Sequence, residues 1–364
     1  MGAAIFALGT AVPPHIYSQE EIAHQSIVIL SADQEKSKMV KRIYQNSAIR
    51  KRHLVISDFH KPKEEWDFLG SQYPKTVPGM SSRNMRYKEE APKLAKEAAK
   101  QALERWGGDA SRITHIISVS CTGVIAPGIE FYLMQDLGLS SKINRLGVNF
   151  MGCFGAFKGL SVARAFTLEN PDHRILVVCT ELCSLHLQAD HDSETITANA
   201  LFADGSAAAI VGGHPQPGEV PLWDITRTHS LGFNNSIDKM SWEASDRGYL
   251  MRLSRTVPVL IGRQIKEFIG DLLRQDISLE QCDWAIHPGG KSIIQSVERA
   301  LRLKPDQTKC TWETFANYGN MSSATFLFVL DHLSRQAALR PWSVGIGFGP
   351  GLSVEGILLR SHLN

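Results

Sequence analysis

The chain alternates strand-like and helix-like stretches twice over, and that rhythm confines it to an α/β fold with a mainly parallel, buried sheet. In the first pass, strands are expected at 3–9, 113–120, 145–151, 174–180 and 206–212. Ser18 with Glu21 forms a capping-box pattern that starts a helix. Residues 33–46 read as a second helix, and 58–83, rich in Pro and Gly, as loop. The stretch 84–106 reads as an Ala-rich helix stopped by Gly107 and Gly108. Further helices are expected at 128–137, 154–169 and 193–202. The second pass has strands near 222–231, 248–254, 282–287, 309–315, 342–348 and 352–359, with helices at 257–275, 290–302 and 322–337. Residues 213–221, rich in Gly and Pro, separate the two passes. At 364 residues the chain exceeds the usual single-domain size, so two units are expected, 1–215 and 216–364.

The two passes resemble duplicates. Strand 113–120 ends in Cys121-Thr122-Gly123, and Cys153 follows at the next strand-to-helix turn. In the second half, strand 282–286 ends in His287-Pro288-Gly289-Gly290, and Asn320 follows at a similar distance, again before a helix. In such sheets sites form at the carboxyl ends of the strands. Duplication would therefore bring Cys153, His287 and Asn320 to one end of the core.

Cys153 sits in GVNFMGCFGAFKGL, residues 147–160. The apolar run Leu146–Met151 reads as a buried strand, Gly152 as a sharp turn and the residues after Cys153 as a helix. A cysteine at a helix N-terminus faces unpaired N–H groups and the positive end of the dipole, which favours a thiolate. The ordinary alternative is a small buried cysteine in a tight turn.

Composition excludes several classes. The net charge of +2 is too balanced to argue for nucleic acid, and no apolar run is long enough to span a bilayer. The N-terminus lacks a basic region and reads as a strand rather than a signal peptide; Phe6 argues against myristoylation. Six scattered cysteines show no CxxC pair and no zinc spacing, so no metal site is expected, and reduced thiols in a cytoplasm fit best. Residues 38–53 carry a run of cations, including Lys38, Lys41 and Arg42. Such runs are usually solvated faces; the functional reading is a landing site for a phosphorylated carrier such as coenzyme A.

Three polar residues thus stand in three Gly-rich contexts: Cys153 in MGCFGAF, His287 in AIHPGGK and Asn320 in NYGNMSSAT. Cysteine supplies a nucleophile, and histidine accepts its proton and holds the ion pair. His and Asn donating to one oxygen make an oxyanion hole for a thioester carbonyl or enolate. Singly, each has a structural explanation, a satisfied core histidine or a helix-capping asparagine.

With these motifs the chain resembles the chalcone synthase-like family, the type III polyketide synthases of the thiolase superfamily, over nearly its whole length. LFADGSAAAIVGG at 201–213 and GFGPGLSVEGILL at 347–359 add to the likeness, the second resembling the glycine loop, with Gly349 and Pro350, that shapes the cyclisation cavity. The resemblance implies a five-layered αβαβα thiolase-like fold of two duplicated halves, a homodimer, and no metal or cofactor beyond coenzyme A thioesters. It implies that Cys153 carries the acyl group, that His287 and Asn320 assist malonyl-CoA decarboxylation, and that Phe202 packs where the coenzyme A channel meets the site. Arg42 aligns with a coenzyme A-binding arginine, Lys38 or Lys41 would substitute for flanking lysines, and Gly290 lies on the same side.

Departures from the plant pattern point to the starter. Plant enzymes have a methionine, reaching into the partner's cavity, where this chain has Ala126; alanine would leave space. Thr122 and Cys183 fall where bacterial long-chain members line an acyl tunnel, and Met251 replaces a gatekeeping phenylalanine. His186 replaces a threonine and receives no role. The expected activity is extension of a fatty acyl-CoA by malonyl-CoA to alkylpyrones or alkylresorcinols, as in the bacterial-type branch. Alternatives are an aromatic- or malonyl-primed synthase, an initiating ketoacyl synthase using an acyl carrier protein, and an inactive scaffolding homologue. The intact Cys, His and Asn speak against the last.

Overall fold

The computed structural model describes residues 2–274 and 276–362. The first half runs β1 (Ala3–Ala11), β2 (His15–Ser18), α1 (Gln19–Ile29), α2 (Gln34–Gln45), β3 (Lys51–Leu54) and α3 (Met80–Trp106). It continues with β4 (His115–Ser120), α4 (Ile129–Asp136), β5 (Asn144–Asn149), α5 (Gly155–Glu169), β6 (Arg174–Leu182), α6 (Ser193–Leu201) and β7 (Asp204–Gly212). The second half holds β8 (Trp223–Gly232), β9 (Met240–Ser245), β10 (Gly248–Leu253), α7 (Val257–Leu273), β11 (Cys282–Ile286) and α8 (Lys291–Leu301). It closes with α9 (Lys309–Tyr318), α10 (Ser323–Leu333), β12 (Trp342–Gly349) and β13 (Ser353–Ser361).

Among the described residues nine strands hydrogen-bond in the order β11-β12-β13-β8-β1-β7-β6-β4-β5. Within that sheet the halves join through three residue pairs of β1 and β8, Ala3–Ile225, Ala4–Asp224 and Ile5–Trp223. Helix α3 covers β1, β6 and β7 on one side; α5 and α10 pack on the other and reach β13 and β11 of the second half. Helix α7, with α8 against it, covers β8 and β13. This is the five-layered α-β-α-β-α order. Strands β4, β6, β7 and β11 are buried along their whole length, as strands covered on both faces must be. The small residues of α3 serve close approach: a Cβ on Gly9 of β1 would sit 2.2 Å from the Ala98 carbonyl oxygen.

Several expectations change. The stretch at 309–315 is helix, not strand: Cys310, Thr311, Thr314 and Phe315 form one buried helical face, a period masked by the β-branched threonines. The second half therefore has no strand equivalent to β5, and the duplication is partial. Strand β5 itself is an edge strand, paired only with β4 and largely exposed, so Leu146–Met151 is not a buried run. The 58–83 segment is ordered around Asp58, whose buried carboxylate accepts from the N–H groups of Asp67, Phe68 and Leu69, and α3 already begins at Met80. Strand β9 was absent from the sequence expectation. Helix α7 ends at Leu273, and residue 275 of the expected helix lies outside the described residues; α10 ends at Leu333.

The Gly/Pro-rich connection is clamped to the first half. The buried guanidinium of Arg174 holds both oxygens of Glu219, at 3.0 and 2.5 Å, and Trp106 donates to the same carboxylate. Burial pushes the Glu219 carboxyl up, but its bonds to Arg174 and to the Gln216 N–H outweigh that and leave it below the ordinary value. Glu219→Gln is expected to cost about 3–5 kcal/mol at neutral pH, because it strands a buried guanidinium. A depressed carboxyl stabilises above its unfolded pKa, so the wild-type advantage should fade in urea titrations as pH falls below about 4.

Candidate active site

The parallel strands β4, β5 and β6 all end on one side of the sheet, which delivers Cys121 and Thr122, Cys153 and Cys183 to neighbouring positions. Cys153 sits in a 3₁₀ turn, Gly152–Phe154, that precedes α5. The turn needs glycine: Gly152 has φ +68°, and a Cβ there would meet Pro350 Cδ at 2.4 Å. Pro350 thus presses on the turn from the end of β12, while Gly349 packs against Phe154.

From the second half, β11 runs parallel to β12 and ends at His287, whose N–H donates to the Ile346 carbonyl at 2.7 Å. The ring is fully buried, and neither Nδ1 nor Nε2 has a hydrogen-bond partner. Asn320 stands between α9 and α10. Its N–H donates to Leu201 at 2.9 Å and its carbonyl accepts from Ala203 at 2.8 Å, so its backbone pairs with Phe202 from the other half. Its side-chain Oδ1 accepts from the Ser322 N–H at 2.9 Å and faces Cys153 Sγ at 4.0 Å. Because Ser322 requires an oxygen there, the amide orientation is set and Nδ2 is left to donate elsewhere. The structure therefore pairs Cys153 with Asn320 directly; His287 shares no hydrogen bond with either.

The electrostatics differ from the sequence expectation. Burial, supplemented by the Glu181 charge, pushes the Cys153 thiol up to about 11 against the opposing bonds from Ser322 and Asn320. Burial alone pushes His287 down to about 3. The resting pair is neutral thiol and neutral imidazole rather than an ion pair. The short 3₁₀ turn does not offset the loss of solvent around the sulfur.

Sequence reasoning also missed Glu181. It lies fully buried in β6 and accepts from Thr122 Oγ1 at 2.8 Å, the Cys121 N–H at 3.0 Å and Ser323 Oγ at 2.5 Å. Burial raises its pKa above the ordinary carboxyl value. The only signal was a charged residue inside the apolar strand RILVVCTEL. His186, left without a role, is a brace: Nδ1 accepts from the Tyr249 N–H at 3.1 Å, so Nε2 carries the proton and donates to the Thr122 carbonyl at 2.8 Å. Burial holds it neutral, with its pKa down to about 3.

Three cavities surround these groups. A chamber of about 20 Å3 is lined by Cys153, Thr122, Cys183, Phe202, Met251 and Pro350, among others. A neighbouring cavity of about 280 Å3 shares Cys183, Phe202 and Met251 with it. A third, about 460 Å3, lies beyond Leu201 and includes Gly290 in its lining. Ala126 is exposed on the surface and lines none of the three. Lys38, Lys41 and Arg42 lie on the exposed face of α2, outside the lining of the third cavity, whose cations are Arg255 and Lys291. Phe202 faces the chamber and the second cavity, and Leu201 takes the place facing the third.

Known proteins resemble this chain over almost its whole length. The model of the N-terminal domain of chalcone and stilbene synthases matches residues 1–215, and that of the C-terminal domain matches 233–363. A Dictyostelium discoideum protein named "Probable polyketide synthase 1" is 37% identical over 364 residues, which cover 98% of this chain but 11% of that much longer protein. Among solved structures, the C-terminal type III polyketide synthase domain of Steely1, a type I/III hybrid from Dictyostelium, superposes with a TM-score of 0.94 at 36% identity, covering 99% of both chains. The polyketide synthase PKS-I of the brown alga Ectocarpus siliculosus gives 0.91 at 28% identity, covering 99% of this chain and 98% of that one.

A thiol held near 11 should alkylate slowly. The rate of Cys153 modification by iodoacetamide, followed by peptide mass spectrometry, is expected to climb about tenfold per unit between about pH 7 and 10 without levelling near 8.5. A plateau below about pH 7 would show a preformed thiolate instead.

Proposed function

The chain belongs to the chalcone and stilbene synthase family, the type III polyketide synthases, which are acyltransferases, and we propose that it loads an acyl group from a coenzyme A thioester onto Cys153 and extends it with malonyl-CoA. The observation that carries this reading is the approach of Cys153 Sγ to Asn320 Oδ1 at 4.0 Å across the joint between the two halves, with the His287 ring buried and both its nitrogens unbonded. Cys153 Sγ attacks the thioester carbonyl, its proton passes to a ring nitrogen of His287, and that proton leaves on the coenzyme A thiol. Malonyl-CoA then loses carbon dioxide, and the electron pair of the broken bond becomes an enolate. Asn320 Nδ2 and the His287 ring donate to its oxygen. The enolate carbon attacks the Cys153 thioester, forming the new C–C bond and releasing the sulfur to accept the chain again. Decarboxylation spares the site a strong base. Glu181 is no exception to that logic, since its oxygens are taken up by Cys121, Thr122 and Ser323.

A long acyl starter, with alkylpyrone or alkylresorcinol products, is our finer proposal. Its support is the 280 Å3 cavity that meets the chamber at Cys183 and Met251 and carries Ile22, Leu54, Ile56, Phe59 and Leu187 in its wall. Assignment to the bacterial-type branch rests on Thr122, Cys183 and Met251, with Ala126 as the position that would face the partner subunit. Coenzyme A would enter through the third cavity, with Arg255 and Lys291 meeting its phosphates and the cations of α2 outside. One observation favours a second donor: the Steely1 domain is the C-terminal part of a hybrid synthase, which suits acyl groups handed over by a carrier protein. We keep the two units 1–215 and 216–364 as the proposed domains. All six cysteines are free thiols, which fits the proposed cytoplasmic setting. Among the described residues no helix is long and apolar enough to cross a membrane.

We also propose a homodimer through β5, whose exposed edge carries Leu146 and is continued by Phe150 and Met151, with Val124 as a further exposed apolar residue. Light scattering should give twice the 40.3 kDa chain mass, and Leu146→Asp should shift it toward the monomer. A monomeric wild type would refute this.

Mass spectrometry of products from malonyl-CoA with acetyl-, hexanoyl-, palmitoyl- and p-coumaroyl-CoA tests the main reading. Long-chain pyrones or resorcinols are expected, absent in Cys153→Ala, and Arg255→Ala should raise KM for malonyl-CoA about tenfold with kcat retained. Product from aromatic or malonyl primers alone would move the substrate, and product only from carrier-bound acyl groups would move the donor.

A further inference from the structure

The last carbonyls of a helix have no partner within it and must find one outside. At the end of α6 this need arises inside the protein, where Ala200, Leu201 and Ala203 are buried. Two side chains from earlier in the first half meet it. Arg52, in β3, donates through Nη1 to the carbonyls of Asn199 at 2.8 Å and Phe202 at 2.6 Å. Gln19, the first residue of α1, donates through Nε2 to the Ala200 carbonyl at 2.7 Å, and its Oε1 accepts from Arg52 Nε at 3.0 Å. The Leu201 carbonyl is left for the Asn320 N–H. Arg52 thus takes the carbonyls on either side of the pair held by Gln19 and Asn320.

Capping α6 would explain Arg52 if its bonds stopped at the helix, but one of them goes further. The Phe202 carbonyl and the Ala203 N–H belong to one peptide group, and that N–H holds the Asn320 carbonyl at 2.8 Å. A trans peptide is planar, with its C=O and N–H pointing in opposite directions, so a guanidinium that fixes one fixes the other. Arg52 also touches the other side of the joint. A Cβ on Gly319, which has φ +70°, would lie 3.0 Å from Arg52 Cγ and Cδ and 2.9 Å from the Leu201 carbonyl oxygen. The backbone just before β3 is tied to the helix that leads into Asn320, because the Arg50 N–H donates to the Ala316 carbonyl at 2.8 Å.

The residue type is costly for this place. Arg52 is 2% exposed, and its Nη2 has no hydrogen-bond partner. Burial holds its pKa below the ordinary arginine value despite the nearby Tyr44 and Asp204. What arginine supplies is a flat fork with fixed donor directions, which an ammonium on a flexible stem does not.

We propose that Arg52 is a positioning residue for the reaction: by holding the Phe202–Ala203 peptide it sets the backbone of Asn320, and with it the amide that faces Cys153. The proposal rests on the synthase reading above, in which Asn320 Nδ2 meets the enolate oxygen, and it adds a residue that acts on that step through Asn320.

The test follows carbon dioxide release from malonyl-CoA in Arg52→Lys and in the milder Gln19→Met, which removes only the anchor of the guanidinium, with melting curves confirming that each is folded. In Arg52→Lys kcat is expected to fall at least about tenfold with KM within about threefold, and in Gln19→Met to fall less. Alkylation of Cys153 by iodoacetamide should stay within about threefold of wild type, since the sulfur itself is not displaced. Added to Asn320→Ala, Arg52→Lys should cost no more than about a further twofold, because the two act on one step. A fully multiplicative loss, or a kcat within about threefold of wild type in both folded variants, would overturn the proposal. Hydrogen exchange supplies a readout that needs no catalysis: the Ala203 and Asn320 amides should exchange at least about tenfold faster in Arg52→Lys, with those of β6 unchanged. If wild type releases no carbon dioxide the synthase reading falls; faster exchange at those two amides would then still show Arg52 supporting the joint, and unchanged exchange would remove that role as well.

Discussion

The site depends on two backbone hydrogen bonds between the halves of the chain: Asn320 N–H to Leu201, and Ala203 N–H to Asn320. They fasten a residue of the second half to the end of α6 in the first, at the carboxyl ends of the first-half strands. Without that joint, Cys153 and Asn320 would belong to separate layers. With it, the Asn320 side chain has one rotamer to adopt, because the Ser322 N–H claims its oxygen. The helices α5 and α10 that follow Cys153 and Asn320 pack on one another between the sheet halves, so the joint is backed by the core.

Burial governs the chemistry of this junction more than any single dipole or charge. It holds Cys153 and His287 neutral, and it raises Glu181 despite its several donors. Both ring nitrogens of His287 are unsatisfied, which is costly in a folded protein and is the sort of strain that active sites retain. Behind the pair, Glu181 and His186 fix Thr122 from two sides, through its hydroxyl and its carbonyl.

The 280 Å3 cavity shares Cys183, Phe202 and Met251 with the minute chamber and Glu194 with the third cavity, and the β9–β10 hairpin supplies Trp242 and Met251 to its wall. The hairpin is the least supported part of that wall, since its strands pair only with each other.

The strand–helix rhythm, the close-packing face of α3 and the three Gly-rich motifs were all legible in the sequence. Hydrophobic period and turn glycines are local properties that the chain carries wherever it folds. The misreadings came where that information stops. The stretch 309–315 has β-branched residues on a helical face, and the period became clear only through the burial of Cys310, Thr311, Thr314 and Phe315. Strand β5 is apolar yet lies at an edge, because strand order is a property of the whole sheet. Glu181 and Arg255 were invisible as site residues, since each comes from a segment remote in sequence from the three motifs, and Lys291 closes the AIHPGGK motif without having been singled out. The sequence by itself determined which elements form and which residues carry chemistry. Only the tertiary structure decided how far Cys153, His287 and Asn320 are desolvated and which side chains bound the space around them, because burial and cavity shape are set by residues that meet only after folding.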